Sequence, residues 1–293
     1  MLDLQLLGYR YPGSPASALQ DISLHIQPGE CIGLLGSNGA GKTTLLSLIA
    51  GLIQPQQGSL RWQGHSAIGL VPQSLAFHAR LRVSENLQLF ADLYRLRGVQ
   101  RQQQLERAIE AAQLQPLLNR TAAQLSGGQQ RRLNFALGLL QPAPLYLLDE
   151  ATVGVDSASR LHMLQAVRAL TDNGSCVIYT SHYLPEIEQL ADRVLLLAEG
   201  RLILDRHLAE QPARQLRARW SAGIPPAVLE LCQLRNWPHS TQAHPLELEL
   251  ELDSPQQLQE LLQLLASQPA PERLDYGPAS LEQLYLHSSG GQL

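Results

Sequence analysis

The spacing of apolar residues predicts short strands alternating with longer helices over residues 1–215, an order typical of an α/β domain. Apolar and polar positions alternate over two early segments, which predicts half-exposed antiparallel strands at 2–7 and 22–26. Three later runs are apolar or β-branched throughout, as central parallel strands are: 31–35, 145–148 and 176–180.

The stretch between the first and second of these buried runs has mostly helical spacing. Residues 84–118 are predicted to be helical, with Ser84 as N-cap, Glu85 in the first turn and Gly98 as a break. A helical subdomain is therefore expected within about residues 74–140.

The pattern changes near residue 211, where we expect a linker or a docking helix ahead of a second domain, 216–293. Four leucines and three glutamates alternate strictly over 246–252, which predicts a strand with one apolar face. Ser254 and Pro255 predict the start of a helix that runs to about residue 267. A short strand near 273–276 and a final helix from Ser280 complete a small α+β module.

Composition and charge exclude several classes of protein. The chain of 293 residues has a net charge of -4, and of its 22 basic residues one, Lys42, is lysine. No polybasic lysine tract is present, and the second domain carries more acids than bases, so nucleic acid is not an expected partner. The first residues lack the pattern of a signal peptide, and no window has the apolar length of a membrane helix.

The cysteines, Cys31, Cys176 and Cys232, are widely spaced and form no C-x-x-C pair. This spacing favours buried, reduced thiols over a disulfide framework or a zinc site. We therefore expect a cytoplasmic protein, with any membrane role supplied through a partner.

A phosphate-binding loop is predicted directly after the buried run 31–35. Residues 36–43 read G-S-N-G-A-G-K-T, which fits G-x-x-x-x-G-K-[ST], and an apolar helix follows over 44–50. Glycines let successive backbone N–H groups turn towards phosphates, and the helix N-terminus adds its positive end. Lys42 is expected to reach the β- and γ-phosphates, and Thr43 to help hold Mg²⁺.

Two acids end the buried run that starts at Leu145. Asp149 is expected to bind the Mg²⁺ shell, and Glu150 to act as general base on the attacking water. By itself this pattern is equally typical of a core strand that stops at a charged turn. The phosphate loop upstream favours the functional interpretation.

A third motif, L-S-G-G-Q at 125–129, precedes a helix predicted over 130–140. Its two glycines predict a second anion-binding helix start. Arg131 and Arg132 lie in the first turn of this helix, where positive charge disfavours the helix but favours a bound phosphate.

The order and spacing of these three motifs resemble the ATP-binding subunit of ABC transporters over about residues 1–215. The resemblance implies a P-loop NTPase core of ABC type, an α/β fold with an antiparallel β subdomain and a helical subdomain, beside the small C-terminal α+β module. It also implies ATP and Mg²⁺ as ligands and ATP hydrolysis as the activity.

Further residue assignments follow from this resemblance. Tyr11 matches the aromatic residue that stacks on adenine, with Tyr9 as the alternative, and Gln73 matches the glutamine that links Mg²⁺ and water to the helical subdomain. Asp156 matches the aspartate that crosses the dimer interface, and His182 the histidine that contacts the γ-phosphate. The expected ligand set is completed by the remaining residues of the two glycine motifs: Gly36, Ser37, Asn38, Gly39, Ala40, Gly41, Thr44, Ser126, Gly127, Gly128 and Gln129.

The sequence departs from the family pattern at two positions. Ala151 stands where a proline commonly follows the catalytic glutamate, and Val155 replaces a leucine before Asp156. Neither change removes a catalytic group, so ATP hydrolysis is still expected.

The resemblance implies a second ATP-binding subunit, either a copy of this chain or a paralogue, and integral membrane permease subunits as partners. The expected location is the cytoplasmic face of a bacterial cell membrane. The sequence around Asp156 and the S-L-E ending near residue 281 are similar to multidrug and ABC-2 exporters, although an importer stays an alternative.

Two classes of soluble protein are alternatives to a transporter subunit: GTPases and soluble ABC ATPases. A GTPase is excluded because its N-K-x-D motif needs a second lysine. A soluble ABC ATPase of translation or DNA maintenance stays an alternative, but its usual second head, coiled-coil insertion or zinc cysteines are not found here.

Overall fold

The computed structural model describes residues 2–62, 67–208, 214–241, 246–252 and 254–278. It divides into two compact units, Met1–Leu208 and Ala209–Leu293. The expected boundary at residue 215 falls inside a strand of the second unit, so the division lies earlier in the chain.

The first unit alternates strands and helices as the apolar pattern predicts. Its elements are β1 (Leu2–Tyr9), β2 (Leu19–Ile26), β3 (Cys31–Leu35), α1 (Lys42–Ile49), β4 (Gln57–Trp62), β5 (Ile68–Val71), α2 (Val83–Leu93), α3 (Gly98–Ala111), α4 (Gly127–Leu139), β6 (Leu145–Asp149), α5 (Ser157–Asp172), β7 (Cys176–Thr180), α6 (Leu184–Leu190), β8 (Arg193–Ala198) and β9 (Arg201–His207). Two short 3₁₀ turns, Gln115–Leu117 and Ala122–Gln124, lie between α3 and α4.

A six-stranded sheet in the order β5-β6-β7-β3-β8-β9 forms the centre of this unit, and only its β8–β9 pair is antiparallel. Every residue of β3, β6 and β7 is buried, which explains their uninterrupted apolar sequences. The carboxyl ends of these three neighbouring strands therefore meet at one edge, as ligand sites in such sheets require.

A second sheet, β2-β1-β4, is antiparallel. The alternating leucines and isoleucines of β1 and β2 point into a core shared with α1 and the central sheet. The half-exposed strands predicted from the alternation are therefore confirmed, although β1 and β2 each extend beyond the predicted segments.

The predicted helical stretch consists of α2 and α3. Its break is confirmed, because α3 begins at Gly98 with a φ of 52°. The Ser84 N-cap is wrong: α2 begins at Val83, and the preceding Arg82 donates its backbone N–H to Glu85 Oε2 over 2.7 Å. Ser84 instead donates its N–H to the carbonyl of Leu118 over 3.0 Å, inside the first turn.

The second unit contains β10 (Arg214–Arg219), α7 (Pro226–Leu234), β11 (His239–Ser240), β12 (Glu247–Leu252), α8 (Pro255–Leu265) and β13 (Arg273–Pro278). Its antiparallel sheet has the order β11-β12-β10-β13, and the leucines of β12 pack on α7 and α8 through a separate core. Ser254 caps α8 as predicted, accepting the N–H of Gln257 over 3.4 Å.

The docking helix or linker expected near residue 211 is wrong for residues 214–219, which form β10. Leu216 and Ala218 alternate with arginines and are buried against the module core, so the period is that of a strand. The final helix expected from Ser280 lies outside the described residues.

Two further findings concern membrane-spanning helices and the cysteines. No helix in the described ranges is long and apolar enough to cross a membrane. The three cysteines are free and buried, as the sequence predicts.

Candidate functional site

The loop from Gly36 to Gly41 connects the central strand β3 to the start of α1. A Cβ atom on Gly36 would lie 2.5 Å from the carbonyl oxygen of Leu197, and one on Gly41 would lie 2.6 Å from that of Ala18. Both glycines also have positive φ, 150° and 106°. Side chains are therefore excluded at both ends of the loop, and its backbone stays open for a ligand.

Lys42 is the first residue of α1 and is only 7% exposed. Its Nζ donates to the carbonyls of Gly36 (2.7 Å) and Ser37 (3.1 Å), so the ammonium lies against the loop. Burial lowers the pKa of Lys42, while the charges of Glu150 and Asp149 act in the opposite direction. An anion bound in the loop would stabilise this desolvated cation.

Thr43 and Asp149 bring hard oxygen atoms together beside the loop. Thr43 Oγ1 donates to Asp149 Oδ2 over 2.9 Å, and Thr180 Oγ1 donates to Asp149 Oδ1 over 2.7 Å. Hydroxyl and carboxylate oxygens fit Mg²⁺, which is commonly held by one or two carboxylates together with substrate phosphates.

Glu150 follows β6 directly and holds two of the predicted catalytic side chains. Its Oε1 lies 2.8 Å from His182 Nε2, and its Oε2 accepts from Gln73 Nε2 over 3.0 Å. The backbone of Glu150 has a φ of 50°, fixed by an N–H bond to Thr180 Oγ1 of 2.9 Å. Such a conformation in a non-glycine residue is uncommon and costs about 1–3 kcal/mol, and it clusters at functional sites.

A cleft of about 390 Å³ connects the loop to Glu150 and Gln73, whereas Asp149 and His182 are not among its lining residues. Many of the predicted ligands line it: Tyr11, Asn38, Gly39, Gly41, Lys42, Thr43, Thr44, Gln73 and Glu150. Tyr11 is 44% exposed, its hydroxyl lies 3.2 Å from Thr44 Oγ1, and its ring meets that of Tyr9 edge to face. Tyr9 lines a different pocket, so the geometry favours Tyr11 as the aromatic residue of this cleft.

The L-S-G-G-Q segment does not line the cleft of its own chain. Ser126 is the N-cap of α4, where its Oγ accepts the N–H of Gln129 over 3.4 Å and its N–H donates to Gln129 Oε1 over 3.1 Å. A Cβ on Gly128 would lie 2.7 Å from the carbonyl of Gly154, whereas Gly127 faces open space. The segment is thus a rigid helix start with room beside it for a ligand.

The two arginines after this motif join segments of the chain. Arg131 donates to the carbonyl of Gln73 over 2.6 Å. Arg132 donates to the carbonyls of Ala112 and Gln113 and to Ser159 Oγ. These acceptors are uncharged, so both guanidinium charges remain, and the expectation that they favour a phosphate stays a prediction.

Asp156 is the N-cap of α5 and accepts the N–H of Ser159 over 2.9 Å. This hydrogen bond lowers the pKa of the Asp156 carboxyl. Like the L-S-G-G-Q segment, Asp156 lies outside the cleft lining.

Three functional contacts were not singled out from the sequence. Thr180 positions both Asp149 and the backbone of Glu150. Asn134 holds the backbone on both sides of Gln73, and Glu186 is a buried carboxylate behind His182. Asn134 left a signal, a polar residue in an apolar helical run, whereas an acid early in α6 is ordinary helix chemistry.

Comparison with known proteins agrees with this geometry. The family model described as ABC transporter matches residues 19–153. The linearmycin resistance ATP-binding protein LnrL of Bacillus subtilis (strain 168) is 32% identical, over 94% of this chain and 94% of its own length. The probable multidrug ABC transporter ATP-binding protein YbhF of Escherichia coli (strain K12) is 38% identical over 69% of this chain, which spans 37% of that protein.

Solved structures are similar over about seven-tenths of the chain. An ATP-binding subunit of an ABC transporter superposes with a TM-score of 0.66 and 25% identity, covering 72% of this chain and 91% of that one. A dimeric ATP-binding cassette in a post-hydrolysis state, bound to ADP and Pi, gives a TM-score of 0.64 and 26% identity over 71% of this chain and 99% of that one. The chain therefore belongs to the ABC transporter family, as an ATP-binding subunit that carries the ATPase cassette of that family.

Proposed function

We propose that this ATPase hydrolyses Mg²⁺-bound ATP within a dimer and drives export through membrane permease subunits. The observation that carries the proposal is the Glu150 carboxylate, held between His182 and Gln73 beside the Thr43–Asp149 pair. These groups lie at the carboxyl edge of the central sheet, next to the glycine loop.

Binding of ATP is assigned to the loop and to α1. The N–H groups of residues 36–44 would surround the phosphates, and the Lys42 ammonium would meet the β- and γ-phosphates. The exposed ring of Tyr11 would stack on adenine at the other end of the cleft. Thr43, Asp149 and Gln73 would hold Mg²⁺, which when bound neutralises charge on the phosphate oxygens.

Hydrolysis is assigned to Glu150 as general base. Its carboxylate would take a proton from the attacking water. His182, whose Nε2 lies against Glu150 Oε1, would orient the carboxylate and contact the γ-phosphate. Gln73 would hold the other carboxylate oxygen and so keep the base in place. Both contacts fix the base before the water attacks the γ-phosphate, which lowers the cost of reaching the transition state.

Dimer formation follows from what the cleft lacks. Ser126, Gly127, Gly128 and Gln129 lie outside the lining of their own cleft, although they form a helix start suited to an anion. We assign Ser126 and Gly128 to the γ-phosphate held by the partner subunit's Lys42, and Asp156 to the interface between the two subunits. The dimeric cassette bound to ADP and Pi supports the proposal of a dimer.

Export is supported by the relatives. LnrL, named for linearmycin resistance, matches the second unit of this chain as well as the first, since it aligns over 94% of both proteins. The Nod factor export ATP-binding protein I of Burkholderia thailandensis (strain E264) is 34% identical over 70% of this chain and 70% of its own length. We place the subunit on the cytoplasmic face of a bacterial cell membrane, bound to permease subunits.

The central test is Glu150→Gln, which keeps the shape of the side chain and removes the base. ATP hydrolysis should fall by at least about 100-fold, since a positioned base contributes about 10²–10⁴ in rate. ATP with Mg²⁺ should convert the variant to a dimer in size-exclusion chromatography with light scattering. Glu110→Gln, an exposed acid on α3, is the matched control. Hydrolysis by Glu150→Gln at the rate of this control would disprove the role of Glu150.

A second experiment separates the transporter from soluble ABC ATPases. The chain is purified by affinity from solubilised cells, and its partners are identified by mass spectrometry. A polytopic membrane protein is expected, whereas ribosomes or DNA would favour the soluble alternative. Reconstitution of that complex in vesicles then distinguishes export from import by the side on which substrate accumulates.

A further inference from the structure

A buried carboxylate lies behind the residues assigned to hydrolysis. Glu186, on α6, is 3% exposed and accepts hydrogen bonds from three hydroxyl groups: Thr152 Oγ1 (2.9 Å), Tyr179 OH (2.8 Å) and Ser181 Oγ (2.7 Å). Arg160 Nε lies 3.4 Å from Glu186 Oε1 and balances the charge. A carboxylate with this many partners is rigid, and each partner is costly to leave unpaired.

Two of the hydroxyl partners of Glu186 belong to the loops that carry the proposed base and its histidine. Thr152 is two residues after Glu150, and Ser181 directly precedes His182. The Ser181 hydroxyl also accepts the N–H of Tyr183 over 3.0 Å, so it holds the histidine loop from both sides.

The same cluster reaches the far end of the loop that follows Glu150, just before α5. Arg160 donates to the carbonyl of Val155 over 3.1 Å, next to Asp156, and lies over the ring of Tyr183 at 5.5 Å. Two loops thus share one buried anchor: the loop from Glu150 to Asp156, held at both of its ends, and the loop around His182.

Strand pairing alone does not hold these loops. The ladder between β6 and β7 ends at the pair Asp149 and Thr180. Beyond that pair, the Thr180 hydroxyl accepts the N–H of Glu150. The network around Glu186 holds the residues that follow β6 and β7, through Thr152 after β6 and Ser181 after β7. The separation of the Glu150 and His182 side chains, 2.8 Å in the structure, depends on both.

We propose that Glu186 is a positioning residue for ATP hydrolysis, acting through Thr152 and Ser181 to fix Glu150 against His182. This inference rests on the proposed role of Glu150. Glu186 sets the turnover rate and leaves the affinity for ATP nearly unchanged, because none of its hydroxyl partners lines the cleft.

The test uses Thr152→Val, which keeps the volume of the side chain and removes the hydroxyl. Thr171→Val is the control, since Thr171 is similarly buried but its hydroxyl donates only to the nearby carbonyl of Arg168 over 2.8 Å. We expect the kcat of Thr152→Val to fall about tenfold with KM for ATP within about twofold, because a small displacement of a catalytic group costs rate and not uniform binding. Thr152→Ser, which restores the hydroxyl, should recover kcat to within about twofold.

Glu186→Gln is the second variant, measured by thermal unfolding and by equilibrium binding of ATP with Mg²⁺. It should bind ATP like the unaltered chain and turn over at least about tenfold more slowly. If it unfolds at the assay temperature, the Thr152 series alone decides.

Two outcomes would overturn the inference. One is a kcat for Thr152→Val within twofold of the Thr171→Val control. The other is a loss of kcat in Thr152→Val that is not specific to the hydroxyl, either because Thr152→Ser does not recover kcat or because the affinity for ATP falls by the same factor. Glu150→Gln separates this failure from that of the proposed function: if Glu150→Gln abolishes hydrolysis while Thr152→Val does not, only the role of Glu186 is wrong.

Discussion

The segment that carries Gln73 should depend on one buried amide, that of Asn134. Asn134 lies on α4 and is 2% exposed. Its Nδ2 donates to the carbonyl of Pro72 over 3.0 Å, and its Oδ1 accepts the N–H of Ala76 over 2.8 Å. The substitution Asn134→Ala removes both contacts, one on each side of Gln73.

The expected cost follows from these two hydrogen bonds. Each contributes about 1 kcal/mol net, and a buried group left unpaired costs more. Ala76 is exposed, so water can replace the lost acceptor of its N–H. The free energy of unfolding should therefore fall by about 2 kcal/mol, nearer the sum of two net bonds than of two unsatisfied groups.

Hydrolysis should fall as well, because the Gln73 side chain donates to Glu150 and only Arg131 would still hold the Gln73 carbonyl. The assays are urea unfolding by circular dichroism and steady-state ATP hydrolysis. Asn173→Ala is the control: Asn173 is exposed and donates to one carbonyl, that of Ala169, so its loss should cost under about 0.5 kcal/mol. Equal unfolding midpoints and equal rates for the two variants would refute the role of Asn134.

Three further predictions concern single groups. Lys42→Arg should abolish ATP hydrolysis without lowering the thermal unfolding midpoint. The reason is that a guanidinium is too wide for the glycine loop, which places the Lys42 ammonium 2.7 Å from the carbonyl of Gly36. Near-normal activity of this variant would contradict the prediction. Burial raises the pKa of the Cys31 thiol to about 12 and of Cys232 to about 11, and also raises that of Cys176, so a thiol reagent at pH 8 should label all three only after unfolding. The hydrogen bond from Ser159 lowers the pKa of the Asp156 carboxyl in the folded protein, so it stabilises the fold fully above the unfolded pKa of about 3.9. This stabilisation is lost as the pH falls through the folded pKa, so the loss of unfolding free energy in Asp156→Ala, measured by chemical unfolding, should shrink below about pH 4. A difference between the two proteins that stays constant down to about pH 2 would contradict this.

Three strands of the central sheet, β3, β6 and β7, could be predicted from sequence because their runs are apolar or β-branched almost throughout. The run 31–35 is β3 residue for residue, 176–180 is β7, and 145–148 is β6 without its final aspartate. The glycine loop and the two acids could be placed as well, since each follows such a strand. Their proximity then follows from parallel pairing of neighbouring strands.

The remaining features depend on contacts distant in sequence. Arg217 and Arg219 are equally compatible with the polar face of a helix, and only the pairing of Leu216 with Leu250 on β12 and Tyr276 on β13 decides for a strand. Arg131 carries a charge that suits phosphate, but its contact with the carbonyl of Gln73 joins residues 58 positions apart in sequence. Glu186 is one of 26 acids, and nothing local distinguishes it: Ser181 and Tyr179 lie 5 and 7 positions before it, but Thr152 lies 34 positions away.

The strand order also sets when the site can form during synthesis. Strand β3, which leads into the glycine loop, pairs with β7 and β8 and not with any strand made soon after it. Cys176 of β7 follows Cys31 of β3 by 145 residues (176 minus 31), which a ribosome adds in roughly 7 to 30 seconds at about 5–20 residues per second. Until then β3 lacks both neighbours, and its apolar edges are open to strands of other chains. The earliest part of the site to be translated is thus among the last to be protected, so the nascent chain is most prone to aggregate before residue 176 has emerged.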